Sequence, residues 1–220
     1  MPKVFIGVGH GGKDPGAVAN EFRESDLNLS IALACRDELE RHGVTVLMSR
    51  TKDENDTLNE EIKECNAFAP DLAADIHNNA GGGDGAEVLH SINGGKGKEL
   101  AQDILDEIVS IGQNSRGIKT RKNSKGTDYY GFIRCTSCPA VIVECAFVDN
   151  RKDMDIIDTL EEQKKMGIAI AKGFLKRLEI EYKKPANKIY RVQVGAYSQK
   201  PNAEAMLKKL KADGYDGFIV

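Results

Sequence analysis

Short apolar runs alternate along this chain with longer amphipathic stretches, and that alternation is what most narrows the fold. The runs Val4 to Val8, Val44 to Met48, Leu72 to His77, Ala86 to Ser91 and Ala140 to Glu144 read as strands. Between them, Asp26 to His42 sets Leu27, Ile31, Ala34 and Leu39 at helical spacing, with Gly43 as a C-terminal stop. Lys98 to Ile111 repeats the pattern through Leu100, Ile104, Leu105 and Ile108, and Leu160 to about Ile180 does so through Met166, Ile170, Phe174 and Leu178. Strands separated by amphipathic helices predict an α/β fold: a single mixed, mostly parallel sheet flanked by helices on both faces.

The pattern restarts near the C-terminus. Tyr182 to Lys188 is polar and carries Pro185, which a helix interior does not accept, so residues 182–188 read as a linker after a domain spanning 1–181. In residues 189–220, Tyr190, Val192 and Val194 alternate with Arg191 and Gln193, Ala203 to Leu210 is amphipathic, and Tyr215 to Val220 reads as another strand. This predicts a small C-terminal β-α-β segment, too small to bury much on its own. Its apolar end, Ile219-Val220, fits either a truncated module or pairing with a second copy in a homodimer.

Charge narrows the partners. With 31 basic residues against 34 acidic the chain has no polyanion-binding signature, so nucleic acid is not expected as a partner. The tail departs from that balance, carrying eight basic residues from Lys183 onward against Glu204, Asp213 and Asp216. No stretch approaches the roughly 18 apolar residues of a membrane span, so no membrane insertion is expected. The first strand starts within three residues of Met1 and leaves no room for a signal peptide, which predicts synthesis in the cytoplasm. Five cysteines, Cys35, Cys65, Cys135, Cys138 and Cys145, are an odd number in a chain of ordinary size and predict structural thiols rather than a disulfide framework.

Chemistry-bearing residues stand at the ends of the apolar runs. His10 follows the first run inside Gly-His-Gly-Gly, where glycines permit a turn and close approach of a ligand. His77 closes the run Leu-Ala-Ala-Asp-Ile-His, and Glu144 closes Pro-Ala-Val-Ile-Val-Glu. Glu24 opens the first helical stretch, where acidic residues are also favoured by the helix dipole alone. Imidazoles and carboxylates gathered at neighbouring strand ends can hold a zinc ion that keeps one position open, which points to metal-assisted hydrolysis. His42, near a helix C-terminus, and His90, in a strand without a glycine frame, are set aside as ligands.

The segments V-G-H-G-G-K-D-P-G-A, R-E-S-D-L-N-L-S-I-A, M-S-R-T-K-D around Arg50, D-I-H-N-N-A and P-A-V-I-V-E-C-A-F-V-D-N occur in that order. Together they resemble the zinc-dependent N-acetylmuramoyl-L-alanine amidases that cleave bacterial peptidoglycan. The resemblance implies that His10, Glu24 and His77 are the ligands of one zinc ion and that Glu144 is the catalytic glutamate. It further implies hydrolysis of the amide between the lactyl group of N-acetylmuramic acid and the L-alanine of the stem peptide. Asp75 departs from the family's usual serine; it shares a strand face with His77, where it either supports that ligand or faces solvent. Asn79, in the loop after His77, and Glu87, in the next strand, are further candidates for substrate contact, and Glu87 reads equally as a solvated strand position.

Tyr190 to Ser198, with the helix and Gly214-Tyr215 that follow, resembles the first half of a sporulation-related (SPOR-like) repeat, a module that binds peptidoglycan. Without an export signal, the reading that follows is an endolysin released by a holin, or an enzyme of mother-cell lysis, acting on the wall after release; an exported enzyme cut down to its catalytic part would show the same absence. Two other readings stand beside the amidase: a wall-binding protein that keeps the zinc fold without turnover, and a zinc hydrolase of another amide. Glu144 speaks against the first, because a pure binder has no use for a base beside a metal.

Overall fold

The computed structural model describes residues 1–185 and 192–219. β1 (Lys3–Val8) leads through the short strands β2 (Val18–Ala19) and β3 (Phe22–Arg23) into α1 (Glu24–Arg41). There follow β4 (Thr45–Met48), α2 (Leu58–Phe68), β5 (Leu72–Asn79), β6 (Ala86–His90), α3 (Gly95–Ser110) and β7 (Ser115–Lys119). α4 (Gly131–Cys135), β8 (Ala140–Phe147), α5 (Arg151–Met154) and α6 (Leu160–Arg177) complete a first unit, Met1–Lys183, while α7 (Lys200–Ala212) belongs to a second, Lys184–Val220.

One sheet runs in the order β4-β1-β5-β8-β6-β7. Its first four strands are parallel neighbours, β6 is antiparallel to β8, and β7 is parallel to β6. This is the mixed, mostly parallel sheet that the alternation of runs predicts. The two-residue period of each strand divides its side chains between two helical layers. On one face, Val4, Ile6, Val8, Ala74, Ile76, Val141 and Val143 are closed over by Leu27, Ile31 and Leu39 of α1, Ile104 and Ile108 of α3, and Met166, Ile170 and Phe174 of α6. α6 carries Gly167 where a Cβ would lie 2.3 Å from the Ile31 carbonyl oxygen, so the absent side chain is what lets α6 approach α1 this closely.

The other face changes character along the strands. Phe5, Ala73, Ile142 and Leu89 make its apolar half, covered by Cys65 of α2 and by Phe132 and Ile133 of α4. Two residues further toward the C-terminal ends of β1, β5 and β8 the same rows turn polar or small. Gly7 pairs with Asp75, His77 with Glu144, and Glu144 with Glu87. The chemistry-bearing side chains therefore stand in one row, in the crevice outside the carboxyl ends of parallel strands where open α/β sheets bind ligands.

The second unit corrects one expectation. α7 forms around the amphipathic stretch, with Pro201 in its first turn, but none of its residues is buried. No strand forms over residues 192–197 or 215–219, while Tyr190, Arg191 and Val220 lie outside the described residues. An extended segment needs a sheet to join and an apolar layer to cover, and Val192, Val194, Tyr215 and Phe218 all remain exposed. The β-α-β segment is thus a helix with irregular flanks among the described residues, and offers no strand edge there for a second copy to pair with. No helix among the described residues is long and apolar enough to cross a membrane.

Candidate metal centre

The site is assembled from the turn after one strand, the start of one helix and the last residues of a second strand. β1 ends at Val8, and His10 then takes a left-handed backbone conformation (φ 62°), unusual for a residue with a Cβ. Glu24 is the first residue of α1, and its carboxylate accepts backbone N–H groups from Ala17 at 2.9 Å and Asn78 at 3.2 Å. His77 lies in β5 beside Gly9, where a Cβ would come within 2.1 Å of the imidazole Cε1. Arg50, 2% exposed, binds these pieces together: its guanidinium donates to the carbonyls of Val8 (3.1 Å), Gly9 (3.3 Å) and Ser25 (2.7 Å). Asn28, one turn after Glu24 in α1, donates to the Gly9 carbonyl at 2.9 Å and accepts from Asn78 at 2.8 Å.

One ligand atom each from His10, Glu24 and His77 falls within 4.8 Å of the others. Glu24 lies between the rings, Oε2 3.2 Å from His10 Nε2 and Oε1 3.1 Å from His77 Nδ1. The two imidazoles meet edge to face, with centroids 5.2 Å apart. Each ring's other nitrogen faces a carboxylate, Asp14 Oδ2 at 2.9 Å from His10 Nδ1 and Asp75 Oδ2 at 3.1 Å from His77 Nε2. A carboxylate behind an imidazole holds its ring plane and, when a metal takes the other nitrogen, favours the tautomer that ligates it. Burial would push the Glu24 carboxyl up, but the hydrogen bonds from His10 and His77 outweigh it and hold the group well below the usual carboxylate range.

Glu144 stands next to His77 across the β5–β8 register, with Oε2 buried and without a partner. Burial pushes its carboxyl up to about 7, against the pull of His77. Glu87, its register partner on β6, is paired with Lys119 and with Arg116 at 2.7 Å, and Asn79 donates to Glu87 at 3.4 Å. A cavity of about 280 Å³ opens beside the centre, lined by His10, His77, Asp75, Glu61, Leu58 and Tyr130 among others. His42 bonds the Glu38 carbonyl through Nδ1 at 2.8 Å and His90 the Ser91 carbonyl at 2.8 Å, both outside the cluster.

Residues 4–176 match the N-acetylmuramoyl-L-alanine amidase family. The chain is 33% identical over 223 residues to the N-acetylmuramoyl-L-alanine amidase CwlM of Bacillus licheniformis, covering 100% of this chain and 85% of that protein. The chain belongs to the N-acetylmuramoyl-L-alanine amidase family. Its reaction is hydrolysis of the amide that joins the N-acetylmuramoyl group to L-alanine. A sporulation-specific amidase of Bacillus subtilis is 31% identical over the same coverage. Among solved structures, the catalytic domain of the amidase CwlV from Bacillus (Paenibacillus) polymyxa var. colistinus superposes with a TM-score of 0.74 at 26% identity, over 82% of this chain and 100% of that one. Cwp6 from Clostridium difficile gives a TM-score of 0.79 at 38% identity over 80% of this chain, which corresponds to only 29% of Cwp6. Residues 166–220 match the SPOR domain, a match that begins inside α6.

Within this amidase the structure brings together His10, Glu24, His77, Asp75 and Glu144, and sets Asn79 and Glu87 at the edge of the row. Asp75 faces His77 rather than solvent. Three supporting residues carry too little sequence signal to have been singled out. Asp14 lies four residues after His10, Asn28 four after Glu24, and Arg50 sits in one of the matching motifs without a role that the motif discloses. Arg50 acts on backbone carbonyls up to 42 residues away, which no local pattern encodes.

Proposed function

We propose that this amidase works with one zinc ion, held by His10 Nε2, the Glu24 carboxylate and His77 Nδ1, and with Glu144 as general base. The donor set fits that ion: two imidazoles and one carboxylate on converging atoms, with no fourth His, Cys, Asp or Glu joining the group among the described residues. When bound there, zinc supplies Lewis-acid charge that polarises the scissile carbonyl and makes a water molecule more acidic. Asp14 and Asp75 keep their imidazoles in the ligating tautomer. The Glu144 carboxylate takes the proton of the attacking water and passes it to the L-alanine nitrogen as the C–N bond breaks. A carboxyl lifted towards neutrality by burial suits both halves of that exchange.

The substrate is peptidoglycan, cut between the lactyl group of N-acetylmuramic acid and the stem peptide, and the SPOR match supports contact of the tail with the wall. The observation that carries the reading is the convergence of three ligand atoms beside a register-paired, unpartnered glutamate. The test is release of amino-terminal L-alanine from purified peptidoglycan by zinc-loaded protein, beside chelator-treated protein and Glu144→Gln. New alanine termini that require both metal and Glu144 support the reading. Release of acetate instead marks a hydrolase of another amide, and no release despite bound zinc marks a binding protein.

A further inference from the structure

Behind His77, Asp75 meets a second carboxyl group, Glu61, that the reaction leaves unassigned. Asp75 is 4% exposed; its Oδ2 faces His77 Nε2, and its Oδ1 is buried without a partner. Glu61 approaches Asp75 from α2, 6% exposed, with Oε1 likewise unpartnered. β1 makes room for both. A Cβ on Gly7 would lie 1.8 Å from Glu61 Oε1 and 2.8 Å from Asp75 Oδ1, so the two oxygens crowd one spot. Gly9, the next position on the same face, does the same for the His77 ring. Two missing side chains, at Gly7 in β1 and at Gly9 just past its end, thus accommodate a stack of three, Glu61 on Asp75 on His77.

Two ionised carboxylates buried side by side would repel and leave both oxygens unsatisfied. One proton between them removes both penalties, because a carboxylic acid has a donor and Asp75 Oδ1 is a free acceptor. The donor is assigned to Glu61, since Asp75 Oδ2 already faces the His77 imidazole and leaves Oδ1 as the free acceptor. Burial first, and the facing Asp75 second, push the Glu61 carboxyl well above its usual range in the same sense.

We infer that Glu61 is a positioning residue of the metal centre: as a carboxylic acid it donates to Asp75 Oδ1, locking the carboxylate that holds His77 Nε2–H and so aiming His77 Nδ1 at the metal. The inference rests on the zinc reading above. It makes α2 part of the support of a ligand on β5, and it requires of Glu61 a hydrogen-bond donor, not a negative charge.

That distinction sets the test. Zinc affinity is measured on the full chain by competition with a chromophoric chelator, for the native protein, Glu61→Gln, Glu61→Leu and Asp75→Ala, and for Glu61→Leu combined with Asp75→Ala. Visible absorption of the cobalt-substituted proteins reports ligand geometry. Glu61→Gln, which keeps a donor, should hold native affinity within about threefold, whereas Glu61→Leu should lose roughly 10–100-fold and alter the cobalt spectrum. Glu61→Leu should cost nothing further in the Asp75→Ala background. The inference is overturned by Glu61→Gln binding as weakly as Glu61→Leu, which would mark a need for charge and hence a cation between the carboxylates. It is equally overturned by Glu61→Leu binding as the native protein does. Should Glu61→Leu not fold, Glu61→Gln decides alone: retained affinity beside a weakened Asp75→Ala supports the inference, and a tenfold loss overturns it. A native chain that takes up no zinc overturns the metal reading and this inference together, before any variant is compared.

Discussion

Glu144 and Gly9 show how single atoms decide this site. Glu144→Gln keeps the shape of the side chain but cannot hold the transferred proton, so turnover on peptidoglycan should fall by about 10²–10⁴-fold while zinc affinity stays near native. Turnover and chelator competition on one preparation separate the two effects, and an active Glu144→Gln would remove the glutamate from the mechanism. Gly9→Ala should act in the opposite way, displacing His77 and lowering zinc affinity, because the new methyl would fall 2.1 Å from the ring. Arg50→Met strips the carbonyls of Val8, Gly9 and Ser25 of a buried donor and should cost about 2–4 kcal/mol, read as a lower denaturation midpoint. His10, Glu24, His77 and Glu144 were legible because each closes or opens an apolar stretch in its own short motif. Asp14, Arg50 and Glu61 were not, since a charged side chain in a polar stretch looks solvated until the fold supplies its partner.

Among the elements, those with strong apolar periods were visible and those held by other forces were not. α1, α3 and α6 place long apolar stripes on the sheet, whereas α2 buries only Glu61 and Cys65 and β7 is a half-exposed edge strand. α2 relies instead on its start, a capping box in which Thr57 and Glu60 satisfy each other's backbone N–H. Thr57→Ala should therefore cost about 1 kcal/mol and, through Glu61, loosen the support of Asp75. Gly167→Ala should be worse, because its methyl would meet the Ile31 carbonyl at 2.3 Å and force α6 off α1; about 1–3 kcal/mol of destabilisation is expected in chemical denaturation. At the β6–β7 edge, burial would raise the Glu87 carboxyl, but hydrogen bonds from Lys119 and Arg116 hold it below the usual 4.5. A depressed carboxyl stabilises the fold above its unfolded pKa, and that contribution disappears as pH falls through the folded value. With both cations more than a third exposed it amounts to no more than about 1 kcal/mol, so Glu87→Gln should flatten the acid limb of the stability profile only slightly.

For the whole molecule, the division between Lys183 and Lys184 separates a unit with its own two-sided core from one whose helix buries none of its residues. A chain ending at Lys183 should keep the unfolding midpoint of the first unit and its turnover on soluble muropeptides, and lose affinity for insoluble walls; sedimentation with purified walls checks the second point. The sequence by itself determined the α/β class, the strand runs, the amphipathic helices that cover them and the ligand-bearing motifs, because each is written within a dozen neighbouring residues by hydrophobic period, glycine placement and strand-end position. Only the tertiary structure decided which of those motifs share a face. Register pairing sets His77, Glu144 and Glu87 in one row, Gly7 of β1 and Gly9 just past its end admit the stack behind His77, and the tail's described residues outside α7, lacking a sheet to join, stay irregular. Pairing, close approach and the sharing of a buried proton depend on distances between residues far apart in the chain, and those distances exist only once it has folded.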